Sequence, residues 1–225
     1  MRPGGLLGHV GMTHLKPNNK KKRLDPSLLL GFCVGLSILW FIMPRFFAQE
    51  PPWVKDFESL GLVDRFGNQD ARTEILLLTS LDCAVCRETF KLLVPVFQEE
   101  LENGQVRFTV VNIMTDEKIN HAILDVKHSM SLVDTQLTFD FFQSMVENFD
   151  KVDKNMTPQD LVELTGFIFE VSPTSIDWSS KIQSSLATMK ESGLGTVPGW
   201  FLNNKQIGGD IYTMNHALRQ AVKER

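Results

Sequence analysis

The chain has 225 residues, 43% of them hydrophobic and 22% charged. That length allows one folded domain with a sizeable insertion, and that composition supports a packed core and excludes wholesale disorder. Three cysteines are too few for a disulfide scaffold or a four-cysteine zinc site, and a net charge of -4 argues against a dedicated nucleic-acid binder. The average hides an asymmetry, because residues 1–48 sum to +6 and the rest to -10.

Lys20, Lys21, Lys22 and Arg23 precede an uncharged run over 28–43. Such a run spans about 24 Å as a helix, short of the ~30 Å hydrocarbon core. Pro44, Phe46 and Phe47 extend it, with Arg45 snorkelling to the interface. The reading is a cytoplasmic basic N-terminus over 1–25 and a transmembrane signal-anchor over 26–48. The remainder lies on the far, periplasmic or extracytoplasmic side. A cleaved signal peptide competes, but Phe46 stands where cleavage wants a small residue. A buried core helix does not account for four consecutive cations, and a nucleic-acid patch does not account for the apolar run. Cys33 reads as a small membrane-facing hydrophobe. Residues 49–57, with Pro51-Pro52, read as a linker.

Ile75, Leu76, Leu77 and Leu78 form a continuous apolar run within 73–80, which suits a buried central strand. Phe90, Leu93, Val94, Phe97 and Leu101 then follow helical spacing; Pro95 should kink that helix and Asn103-Gly104 end it. Val106, Phe108 and Val110 alternate as a second strand, completing a βαβ unit. From 116 to 193 the pattern is helical. Thr157-Pro158 supplies an N-cap with proline at the first position, and Leu161, Leu164 and Ile168 continue that helix. Ile182, Leu186 and Met189 mark another. Residues 200–202 and 205–207 flank Asn203-Asn204 as a hairpin, and 213–223 reads as a closing helix with Met214, Leu218 and Val222 on one side.

The chemistry centres on Cys83-Ala84-Val85-Cys86, between the buried strand and the amphipathic helix. A thiol at a helix N-terminus faces unpaired backbone N–H groups and the positive end of the dipole, both of which stabilise the reactive thiolate. A second thiol one turn later can close an intramolecular disulfide and so resolve a mixed disulfide with a substrate. Cys83 is then the exposed nucleophile and Cys86 the more buried resolving thiol. A metal half-site needs two further ligands, and the histidines show no ligand pair at metal spacing. His121 and His128, seven apart, read as solvated surface residues. A purely structural disulfide is the other bland reading.

Thr196-Val197-Pro198 stands just before the hairpin. A CxxC at the head of the first helix, with Val-Pro before a late hairpin, resembles the thioredoxin superfamily. The long separation from Cys86 to Pro198 leaves room for a helical insertion, a layout that resembles the DsbA-type thiol–disulfide oxidoreductases. The resemblance covers roughly 58–225. It implies an α/β fold with a thioredoxin-like mixed sheet built from 58–115 and 194–225, and a helical insertion over 116–193. It further implies that Cys83 and Cys86 are catalytic, that Pro198 is a cis-proline beside them, and that Thr196, Val197 and Pro198 receive an extended substrate segment. A backbone edge of this kind reads a substrate without regard to its sequence.

The chain departs from that pattern in informative ways. Ala84 and Val85 stand where the DsbA pattern has Pro and His, and Asp82 stands where an aromatic is common. The neighbouring carboxylate disfavours a thiolate, while Arg87 favours one. Leu77 occupies the position, six before the first cysteine, where the superfamily often buries a carboxylate. Asp82, Ala84, Val85 and Arg87 are therefore modulators of the pair; Arg87 supports the thiolate, and the other three draw the pair away from a strongly oxidising poise, toward reductase or isomerase behaviour. The expected partners are cysteine-containing protein substrates and a membrane or soluble redox partner, with no cofactor and no nucleic acid. A thioredoxin-like binding or assembly module with an inert CxxC, and a metal carrier for a copper enzyme, are the rival readings.

Overall fold

A computed structural model describes residues 50–223. The expected basic N-terminus and membrane span, over 1–25 and 26–48, lie outside the described residues. Among the described residues no helix is long and apolar enough to cross a membrane.

The chain opens with helix α1 (Pro52–Ser59), then strands β1 (Val63–Gly67) and β2 (Thr73–Thr79). Helix α2 (Ala84–Leu93) leads through a 3-10 turn at Val94–Val96 into the short helix α3 (Gln98–Glu102) and strand β3 (Val106–Asn112). Next come α4 (Lys118–Ser131), α5 (Thr135–Asn148), α6 (Pro158–Leu164) and α7 (Trp178–Glu191). The hairpin β4 (Gly199–Leu202) and β5 (Lys205–Ile207) precedes the last helix, α8 (Ile211–Lys223).

The sheet runs β1-β3-β2-β4-β5. Strands β2 and β3 are parallel, joined through α2, and every other neighbour is antiparallel. All seven residues of β2 are buried, as its apolar run requires of a strand covered on both faces. The register sorts the side chains. One face carries Phe66, Phe108, Leu77 and Trp200, with Phe90 of α2, Phe97 and Phe139 of α5 packed around Phe108 at ring separations of 5.1–6.3 Å. The other face carries Phe201, against which Trp53 of α1 packs at 5.6 Å.

Several elements differ from the sequence reading. The stretch read as a linker, 49–57, contains most of α1, whose Val54 and Phe57 are fully buried. Pro52 takes the first helical position, where its missing N–H costs nothing. The expected kinked helix is two helices, because Pro95 sits inside a 3-10 turn between them. Helix α6 ends at Leu164 and does not reach Ile168, which is fully exposed. Gly166 adopts φ +77° and Phe167 N–H returns to the Val162 carbonyl, a left-handed C-terminal stop. Leu186 is exposed although Ile182 beside it is buried. Other details agree. Thr157 and Asp160 form a reciprocal capping box, and Asn203 and Asn204 take φ +47° and +66° in the two-residue hairpin turn.

Candidate active site

The site is built where β2 stops. Ser80, Leu81 and Asp82 carry the chain off the sheet, Cys83 N–H donates to the Ser80 carbonyl, and α2 begins at Ala84. Cys83 is the N-cap residue in extended conformation, and its Sγ accepts from the Cys86 N–H at 3.2 Å. A serine, threonine or aspartate oxygen normally makes this bond; here a sulfur does. The bond stabilises a sulfur carrying negative charge, and the helix N-terminus adds its dipole to the same end. No carboxylate stands in the first turn of α2 to cancel that field.

The two thiols differ in environment. Both are free, with Cys83 half-buried and Cys86 only 1% exposed. Burial pushes the Cys86 thiol up to about 12, and the hydrogen bond with Cys83 adds to the rise. The Thr79 hydroxyl and the Ser80 backbone bond to Cys86 and oppose that rise without cancelling it. Cys86 is thus held as a thiol beneath a more accessible sulfur. Ala84 and Val85 between them are exposed, Val85 by 62%.

The Val197–Pro198 peptide is cis, as the family resemblance implies. Leu78 pairs with Gly199, so Pro198 precedes β4 at the same sheet end from which β2 delivers Cys83. The strand pairing therefore brings the two sequence motifs to one end of the sheet. A Cβ on Gly199 would crowd the Phe201 ring at 3.2 Å and Leu78 at 3.4 Å, so the start of β4 lies close against β2. Thr196 is exposed, and Val197 and Pro198 are half-buried.

Arg87 is turned away toward the helical segment. Its Nη1 donates to the Leu81 carbonyl at 2.6 Å, Nη2 reaches Asp150 at 3.3 Å, and the guanidinium covers the Phe149 ring at 4.5 Å. The expected support of a thiolate by Arg87 is therefore shared with a carboxylate. Asp82 is exposed, and its Oδ2 accepts from Thr115 and Asn120. Sequence reasoning missed both donors, because a polar residue in a helical pattern carries no mark of the loop it will meet. Leu77 is fully buried opposite Trp200, so the carboxylate common at this position in the superfamily is replaced by packing. Trp200 is itself buried and lies in the core, not in the groove. His121 pairs with Asp116 at 2.8 Å and His128 packs edge-on to Trp178, so neither is a free surface residue. Among the described residues no group of three or more His, Cys, Asp or Glu is placed to hold a metal ion.

Known proteins share this architecture. BdbD from Bacillus subtilis, in its oxidised crystal form, superposes with a TM-score of 0.51 at 16% identity, over 73% of this chain and 95% of that one. The catalytic domain of Proteus mirabilis ScsC gives a TM-score of 0.56 at 14% identity, over 79% and 100%. MdbA, a thiol-disulfide oxidoreductase from Corynebacterium diphtheriae, gives 0.54 at 11% identity, over 68% and 85%. No curated protein sequence matches the chain. The family model described as Thioredoxin matches residues 63–223, and the chain accordingly belongs to the thioredoxin family, with the fold of the DsbA-type thiol–disulfide oxidoreductases.

Proposed function

We propose that this chain is a membrane-anchored, extracytoplasmic thiol–disulfide oxidoreductase that exchanges disulfides with cysteine-containing protein substrates through Cys83 and Cys86. One observation carries the proposal. A half-buried sulfur caps a helix and accepts a backbone hydrogen bond, with a buried thiol one turn behind it. The anchor rests on the uncharged run over 28–43 and the cations before it.

In the reducing direction the Cys83 thiolate attacks a substrate disulfide. A mixed disulfide forms and one substrate sulfur leaves as thiolate. Cys86 loses its proton and attacks Cys83 Sγ, expelling the second substrate thiolate and closing the Cys83–Cys86 disulfide. Two electrons pass from the pair to the substrate. Oxidation runs the same steps backward, and a membrane or soluble redox partner then removes the electrons. The segment Thr196, Val197 and Pro198 receives the substrate backbone, at the sheet end where the exposed Ala84 and Val85 also lie. Residues 116–193 serve as a helical insertion in a thioredoxin-like domain made by 58–115 and 194–225.

The compartment favours oxidation, since structural disulfides persist outside the cytoplasm. Ala84-Val85 and Asp82 favour the reductase or isomerase direction, because the first lacks a histidine that could stabilise the thiolate and the second opposes it, whereas Leu77 takes away a carboxylate that would have opposed it. The test is insulin reduction by the detergent-solubilised full chain beside its Cys83→Ser variant. The proposal expects turnover only with Cys83 present. Equal activity in both, or none in either, would leave a binding module with an inert pair.

A further inference from the structure

Asp82 stands immediately before the nucleophile, and its carboxylate is held in place. Its Oδ2 accepts from Thr115 Oγ1 at 3.0 Å and from Asn120 Nδ2 at 2.9 Å. Asn120 Nδ2 also reaches the Thr115 carbonyl at 3.1 Å and Thr115 Oγ1 at 2.9 Å. Thr115 lies in the loop after β3, and Asn120 in the first turn of α4. Asn120 is fully buried, and its Oδ1 is buried without a hydrogen-bond partner. An apolar side chain at that place would spare the fold a desolvation cost. The amide is therefore poorly explained by packing, and well explained by the carboxylate it grips.

The other charges nearby are committed. Arg87 is spent on Leu81, Asp150 and Phe149, and Glu88 lies within 3.6 Å of Lys91 on the exposed side of α2. The fixed charge one residue from Cys83 is thus negative, and it opposes the field of the helix N-terminus. We infer that Thr115 and Asn120 are positioning residues that hold the Asp82 carboxylate one residue before Cys83, where its charge works against negative charge on the attacking sulfur and draws the Cys83–Cys86 couple to the reducing side. This rests on the proposed exchange chemistry and supplies its direction. Exchange with glutathione converts the enzyme disulfide and two glutathione thiols into the enzyme dithiol and one glutathione disulfide. A charge that destabilises the thiolate destabilises the dithiol side, so the equilibrium favours the enzyme disulfide and the couple gives electrons more readily.

The test uses the detergent-solubilised full chain with Asp82→Asn, Asn120→Ala, Thr115→Val and the Asp82→Asn/Asn120→Ala pair. Asparagine at 82 keeps an acceptor oxygen and removes the charge. Iodoacetamide alkylation at pH 6.5 is followed on the peptide carrying Cys83, with thermal melts as a check on folding. Asp82→Asn should speed alkylation about threefold, the effect of one unit charge several ångströms away across water, and should move the glutathione equilibrium toward the dithiol, by up to that factor where the titration is run at a pH that ionises the dithiol. Asn120→Ala and Thr115→Val should each give part of that gain, and Asn120→Ala should give none once Asp82 is asparagine. The inference is overturned if Asp82→Asn leaves alkylation unchanged, or if Asn120→Ala acts equally with and without the carboxylate, which is what a merely structural role produces. If the wild-type chain fails to reduce insulin, the proposed function falls while the alkylation series still reports on Asp82. If insulin is reduced and the series is flat, the inference falls alone.

Discussion

Near the start of β2 lies Glu74, and in the helix that follows its last residue lies Cys86. Both are withdrawn from water, and burial raises the proton affinity of both. Glu74 is matched by a cation, since Arg107 Nη2 sits 3.0 Å from its Oε2, and Thr109 Oγ1 is within 3.4 Å of Oε1. Arg65 and Glu50 extend that charged cluster toward α1. The neighbours that bond to Cys86 are a hydroxyl, a backbone group and another sulfur, with no cation among them. A buried ionisable group with a charged partner serves the fold. A buried ionisable group without one is kept neutral, and its proton can leave when a disulfide forms beside it. The same strand thus ends in structure at one side and in chemistry at the other.

The sharpest way to break this contrast is at the chemical end. Cys83→Ser should abolish insulin reduction and leave the thermal melt close to wild type, because the hydroxyl can still cap α2. The structural end should respond in the opposite sense. Arg107→Leu leaves Glu74 buried without its cation and should cost about 3–5 kcal/mol in a denaturant titration, with the glutathione equilibrium unmoved. The sign with pH follows from burial. Glu74 has a raised proton affinity in the folded chain, so its favourable contribution is full at low pH and is lost as pH rises through the folded value. Arg107→Leu should widen that loss, and a variant whose stability improves toward neutral pH would contradict the assignment.

A smaller effect sits at the hairpin. Asn203 holds φ +47° and its Oδ1 accepts the Glu74 N–H at 2.9 Å. Asn203→Ala loses both features and should cost about 1–2 kcal/mol by chemical denaturation. The smallest expected change is a shape and not a rate. Native-state alkylation of Cys86 should stay slow through pH 9 and climb only as pH approaches 12, since burial keeps the thiol protonated. A plateau reached near pH 9 would mean that Cys86 is solvated.

Much of the fold was legible because its signals are local. The apolar run at Ile75–Leu78 suits a strand covered on both faces, and Asn203-Asn204 tolerates the left-handed turn that a two-residue hairpin demands. The pairing of Leu78 with Gly199 was not legible, since nothing local at either residue names the other; the family resemblance implied only that Pro198 lies beside the cysteines. Helix α1 was hidden by reading Pro51-Pro52 as linker composition, although proline at the first helical position is also a start signal. Strand β1 was hidden by its shortness and by Asp64 and Arg65, which are polar because they pair with Lys127 and Glu50 across elements. At the site, both cysteines and Pro198 declared themselves by motif. Thr115 and Asn120 did not, because their meaning depends on a contact made 33 to 38 residues away.

The most direct measurement is a titration of the full chain with mixtures of reduced and oxidised glutathione, reading the Cys83–Cys86 peptide by mass. The account predicts a single two-electron transition to an intramolecular disulfide, replaced in Cys86→Ser by a glutathione adduct on Cys83. Two thiols that stay unpaired in every mixture would contradict it.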